Sequence, residues 1–192
     1  MKDELEKEIT DSCPKLFRSF WEERQKLNDQ WAAKGREPFH PIAFGFECGG
    51  GWFPILKELC LKIEALINTL PLDEQQNFHV AQVKEKFGGL RFYMHGETDE
   101  MSKLIREAEE KCDSTCETCS APSIQLGQGW IVNACRPCWV KYAVGHSYRY
   151  DTDEESQGKY YDDTVKRINK RKTALARVNK LRTSKGLEIR HY

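Results

Sequence analysis

Residues 116–138 read "CETCSAPSIQLGQGWIVNACRPC", two Cys-x-x-Cys pairs separated by fifteen residues that contain no cysteine. Two residues between thiols let a tight turn aim both sulfurs at one ion, and a second such turn brought back by a short hairpin completes a tetrahedron. The intervening "SIQLGQGWIVNA" supplies that hairpin, with Gly127 and Gly129 at its tip and Ile131 and Val132 on the return. Cys116, Cys119, Cys135 and Cys138 are therefore the expected ligands of one Zn2+. Four sulfurs fill the shell and leave no position for water or substrate, so the expected role of the ion is structural.

The other four cysteines, Cys13, Cys48, Cys60 and Cys112, follow no framework spacing, which favours metal over disulfides and a reducing compartment. The acidic N-terminus "MKDELEKEIT" is unlike a signal peptide, and no apolar run reaches the eighteen or so residues of a membrane span. A cytoplasmic protein with no membrane partner is expected.

A catalytic alternative uses "HGE", His95 to Glu97, upstream of Cys116 and Cys119. Base deaminases bind zinc through one His and two Cys, with a Glu that shuttles protons. Here Thr115 stands where that pattern has proline, "SAPS" follows Cys119 as a turn, and Cys135 and Cys138 are left without a role.

Upstream, "FHVAQVKEKFGGLRFYMHG" (78–96) reads as a hairpin turning at Gly88-Gly89. That turn pairs Phe87 with Leu90, Lys86 with Arg91, Glu85 with Phe92, Lys84 with Tyr93 and Val83 with Met94. Alternation then yields an apolar face and a second face carrying Lys84, Lys86, Arg91, Tyr93 and His95. Opposed like charges such as Lys86 and Arg91 destabilise a strand pair slightly, a cost that an anionic partner or nearby carboxylates would offset. Phe78 and Val80 fall on the polar face unless a bulge intervenes or a helix covers that end.

Helices flank the hairpin. From Pro54 the positions Ile55, Leu56, Leu59, Cys60, Ile63, Leu66, Ile67 and Leu70 fit one face, and Pro71 ends the run. A second helix spans about 98–111, with Thr98 or Asp99 as cap and a stripe from Met101 to Cys112. A third, after Ser12, carries Leu16, Phe17, Phe20, Leu27 and Trp31 until Gly35. Gly49, Gly50 and Gly51 read as a turn that folds Trp52 back, since they lack the signatures of a phosphate loop.

The net charge of zero over 192 residues is a cancellation: residues 159–192 carry 11 Lys/Arg and 3 Asp/Glu, and residues 1–158 carry 19 and 27. After an acidic link, "YDTDEESQGKYYDD", a helix is expected with Val165, Ile168, Leu175, Val178 and Leu181 as one stripe. Its other faces hold Lys166, Arg167, Lys170, Arg171, Lys172, Arg177, Lys180 and Arg182, a density suited to phosphate contact.

Three pieces, "ECGGGWFPILKELCLKIE", "VKEKFGGLRFY" and "CETCSAP" with the later "GW", resemble a family of small hypothetical proteins of bacteria and their phages. The resemblance covers roughly residues 46–140, implies no established activity, and implies a bacterial or phage origin.

The expected architecture is α+β: a body over 1–150 with a zinc-ribbon-like element at 112–142, then the acidic link and basic helix over 151–192. The expected function is non-enzymatic binding of nucleic acid or a nucleoprotein, as a phage or bacterial regulator. The alternatives are an inhibitor or adaptor of a host protein and the zinc deaminase or hydrolase built on His95 and Glu97.

Overall fold

The computed structural model describes residues 1–18, 45–127, 130–146, 153–184 and 186–189, with a few positions between 26 and 35. It is an α+β protein, as expected, whose contacts divide it into two compact units, Met1–Cys135 and Arg136–Tyr192. No described helix is long and apolar enough to cross a membrane. Phe20, Leu27 and Trp31 of the expected N-terminal helix lie outside the described residues, whereas Leu16 and Phe17 are fully buried.

The first unit begins with helix α1 (Asp3–Ser12), in a stretch whose charge hides its apolar residues. Asp3, Glu4 and Glu6 in the first turn suit the positive end of a helix, and Ile9 is completely buried. Glu6 is buried too, and its Oε2 accepts the Phe46 N–H at 3.0 Å. Gly45, at φ +65°, makes room for it: a Cβ there would lie 2.0 Å from Oε2.

Helix α2 (Phe53–Thr69) follows the stripe, with Pro54 in its first turn and Leu70 extended before Pro71. Leu56, Cys60, Ile63 and Ile67 are fully buried. Glu64 sits among them because its carboxylate caps two amides, those of Lys15 at 3.2 Å and Leu16 at 2.8 Å. Helix α3 (Asp99–Cys112) starts at Thr98, whose hydroxyl accepts the Met101 N–H at 3.3 Å, and it buries Met101, Ile105, Ala108 and Cys112.

Strands β1 (Phe46–Glu47), β2 (His79–Lys86) and β3 (Gly89–His95) form one sheet in that order, β1 parallel and β3 antiparallel to β2. The turn is one residue earlier than the glycine rule predicts. Phe87 and Gly88 occupy it, at φ +56° and +77°, and the register becomes Lys86 with Gly89, Glu85 with Leu90, Lys84 with Arg91, Val83 with Phe92 and Gln82 with Tyr93. Gly89 begins β3, where a Cβ would sit close to Asp113 Oδ1 at 3.1 Å and Arg91 Nη1 at 3.2 Å. The expected Lys86/Arg91 pair is thus replaced by Lys84/Arg91. A register shift between Val80 and Gln82 returns Val80 to the core. Strands β4 (Ile124–Leu126) and β5 (Val132–Ala134) form the small hairpin between the cysteine pairs.

The second unit holds helices α4 (Arg136–Gly145) and α5 (Glu154–Ser184). Within this unit α4 packs with α5. The expected acidic link is helical from Glu154, because Asp153 caps it by accepting the N–H groups of Glu155 and Ser156 at 3.1 and 2.9 Å. Those bonds and the Ser156 hydroxyl hold the Asp153 carboxyl below its usual range. Trp139 and Ala143 are fully buried, and Gln157, Gly158, Tyr161 and Thr164 form the buried face of α5. A Cβ on Gly158 would lie 2.4 Å from the Arg136 guanidinium, whose Nε donates to Asp162 at 3.0 Å.

Beyond Thr164 no residue of α5 through Ser184 is buried. At 100° per residue, Val165, Ile168, Leu175, Val178 and Leu181 drift around the helix instead of lining up, so they make no single stripe. Val178 and Leu181 are exposed.

Candidate metal centre and basic surfaces

The Sγ atoms of Cys116, Cys119, Cys135 and Cys138 all lie within 4.8 Å of one another, and those of Cys119 and Cys135 are 3.5 Å apart. A tetrahedron with metal–sulfur bonds of about 2.3 Å has edges of about 3.8 Å, so the cluster has the size of a four-thiolate metal shell. None of the eight cysteines is in a disulfide. Burial acts to raise the Cys116 thiol, but the backbone N–H groups of Cys135, Thr118 and Cys119 aim at its sulfur and bring it down to about 7. Such amides stabilise a thiolate, the form that ligates metal.

The other thiols behave oppositely. Burial pushes Cys13 and Cys48 up to about 12 and raises Cys60 and Cys112 as well, so these four are inert core groups. Cys112 ends the α3 stripe and is not part of the four-sulfur cluster.

The first cysteine turn rests in a cradle assembled from distant residues. Gly51 N–H donates to the Glu117 carbonyl at 2.7 Å, Gly49 N–H to Glu117 Oε1 at 2.7 Å, and Ser120 Oγ to the Gly51 carbonyl at 2.7 Å. The indole of Trp52, fully buried, donates to the Thr115 carbonyl at 2.7 Å. No side chain fits here: a Cβ on Gly51 would lie 2.2 Å from the Cys116 carbonyl, and one on Gly49 2.2 Å from that of Glu117. Glu117 is held with its carboxyl pushed up by burial, which the Gly49 N–H opposes. From the other side, buried Asn133 donates to the Cys112 carbonyl at 2.6 Å and accepts the Ser123 hydroxyl. The run "GGGW" was the available signal for this cradle, but its partner is invisible at that distance in sequence.

The expected hairpin contacts are brought together. Lys84 and Arg91 stand opposite each other, Lys84 Nζ lies 5.7 Å from the Tyr93 ring centre, and Lys86 Nζ lies 5.5 Å from that of Phe87. Glu47, opposite Lys84 on β1, supplies the nearby carboxylate, fixed by Gln82 Nε2 at 2.8 Å. On α5, Lys166, Arg167, Lys170, Arg171, Lys172, Arg177 and Lys180 are exposed, while Arg182 is half-buried and donates to the Glu188 carbonyl. His95 takes no place in the metal cluster: its ring lies 4.6 Å from that of His79 across the hairpin, and Glu97 is exposed.

No protein-family model, no curated protein and no solved structure matches this chain.

Proposed function

We propose that this is a non-enzymatic nucleic-acid-binding protein of regulatory type, in which Zn2+ held by Cys116, Cys119, Cys135 and Cys138 maintains the fold while contact is made elsewhere. The observation that carries this reading is the second part of α5. From Thr164 to Ser184 it has eight Lys/Arg and no Asp/Glu, and past Thr164 it buries nothing. A helix so exposed and so charged gains nothing from intramolecular packing, whereas each cation placed at a phosphate releases counterions.

The cations are also ordered. Lys166, Lys170, Arg177 and Lys180 fall within about 80° of helix circumference along roughly 21 Å of axis, a row suited to tracking one backbone. The Lys84/Arg91/Tyr93 face and Lys86 add cations and an aromatic ring on a rigid sheet.

The test is a salt titration of oligonucleotide binding by fluorescence anisotropy. The wild-type chain should bind at low ionic strength with log K falling linearly in log salt. Replacing Lys170, Arg171 and Lys172 by Gln should reduce the slope by about 2, at roughly 0.7 per phosphate on a single strand. Absence of binding by the wild type at low salt overturns the proposal.

A further inference from the structure

Between the tip of the β2–β3 hairpin and the tip of the cysteine hairpin lies a cleft of about 230 Å³, lined by Glu85, Lys86, Phe87, Trp130 and Ile131. Its walls are unusual for a surface. Phe87 is 68% exposed, Trp130 54% and Ile131 39%. We infer that this cleft is a stacking site for an unpaired base, so that the nucleic acid recognised is single-stranded; this rests on the nucleic-acid reading above and names its substrate class.

Phe87 supplies the first argument. It occupies a left-handed position, φ +56°, where a bulky side chain is strained and Asn or Gly sits readily. Its ring gains little burial in return, so neither turn chemistry nor core packing accounts for an aromatic residue there. An aromatic ring kept exposed against both preferences is explained by a ligand that stacks on it.

The second argument is rigidity. Gln125 Nε2 donates to the Gly88 carbonyl at 3.2 Å and to Asp113 Oδ1 at 2.9 Å, tying the Phe87 turn to strand β4. A Cβ on Gly88 would lie 2.8 Å from Ile131 Cγ2, so the Phe87 turn also packs against the return of the cysteine hairpin. Stacking sites gain from such preorganisation, because little side-chain freedom is lost on binding.

Charge and size select the ligand. Lys86 stands beside the Phe87 ring, and Lys84 and Arg91 continue a basic path along the same hairpin. Glu85, also in the lining, accepts the Gly88 N–H through its carboxylate at 2.5 Å, so an ammonium and a hydrogen-bonded carboxylate both border the opening. The volume lies below the roughly 300–1,000 Å³ of pockets that enclose drug-sized ligands, and suits one planar ring system. Aromatic walls beside a cationic track are the arrangement by which single strands are held without base-pair readout. In a duplex the bases are stacked on one another and cannot enter without being extruded.

The experiment compares fluorescein-labelled oligothymidylate with a duplex of equal length, using the full chain and the variants Phe87→Asn and Trp130→Ala. Asn suits the left-handed turn, so Phe87→Asn should melt at or above the wild-type temperature, and any loss of binding in it is not unfolding. The wild type is expected to prefer the single strand by about tenfold or more. Each variant should weaken single-strand binding by about 5- to 50-fold with the salt slope unchanged, and leave duplex binding unaltered. Wild-type affinity for the single strand in both variants, with the α5 Gln variant still impaired, overturns the stacking site alone. No binding of either nucleic acid by the wild type overturns the nucleic-acid reading and this inference with it.

Discussion

The junction between Gly49–Gly51 and the first cysteine pair, and the stretch of α5 after Thr164, are opposites. At the junction the N–H groups of Gly49, Gly51, Cys116 and Glu117 are all hydrogen-bonded, and a single added methyl on Gly49 or Gly51 would overlap a carbonyl oxygen. Along residues 165–184 of α5 nothing is buried and cations dominate. The first region tolerates no change of shape and has no open position for a ligand; the second tolerates many changes and offers charge. The contrast separates a region that the fold uses fully from one that it leaves exposed.

The contrast breaks most severely at the metal. Cys135→Ser should abolish binding of one Zn2+ per chain and cost more than about 5 kcal/mol, leaving the body unfolded at ambient temperature; metal analysis with circular dichroism reads both. Removing metal from the wild type with a chelator should have the same spectroscopic effect.

Next comes the cradle. Gly51→Ala forces a methyl against the backbone of Cys116 and Cys119, neither of which can move while holding an ion, so a loss of about 3 kcal/mol or more is expected in urea denaturation. Its metal affinity should fall in parallel, because knuckle and glycine turn close together. Wild-type stability in this variant would show that the junction gives way. Trp52→Phe keeps most of the apolar volume but leaves the Thr115 carbonyl without its indole donor, for an expected loss of about 2 kcal/mol in the same assay.

The smallest effect on stability is expected in α5. Replacing Lys170, Arg171 and Lys172 by Gln should change the unfolding free energy by less than about 0.5 kcal/mol, since exposed helix positions away from caps and cores contribute little. A large destabilisation there would mean that the segment has a structural task after all.

Some of this was legible in the chain and some was not, for reasons of distance. The four ligands announce themselves because their spacing is a local property of two turns, and α2 does so because Leu56, Leu59, Cys60, Ile63 and Ile67 repeat at helical period between prolines. The cradle did not, since what Gly49 and Gly51 accommodate lies beyond α2, β2, β3 and α3. The hairpin turn was misplaced because Phe87 takes a left-handed position that its residue type does not announce. α1 was masked by the charges that suit its first turn, and the start of α5 by Asp153, a cap hidden in a run of acids. The basic residues were visible as a cluster, but their row of four on one face, and the failure of the apolar positions to form a stripe, emerge only when the helix is wound.

The glycine turn and the knuckle it receives are 68 residues apart, Gly49 to Glu117. During synthesis at about 5–20 residues per second, that separation lasts on the order of 3–14 s, in which Trp52 has no carbonyl to bond and the glycines face nothing. The ion therefore cannot be seated in its finished surroundings by the cysteine segment alone; the helices and strands made earlier must already have placed the turn. Capture of an ion by the four cysteines and docking of their first turn on the glycines are therefore separable events.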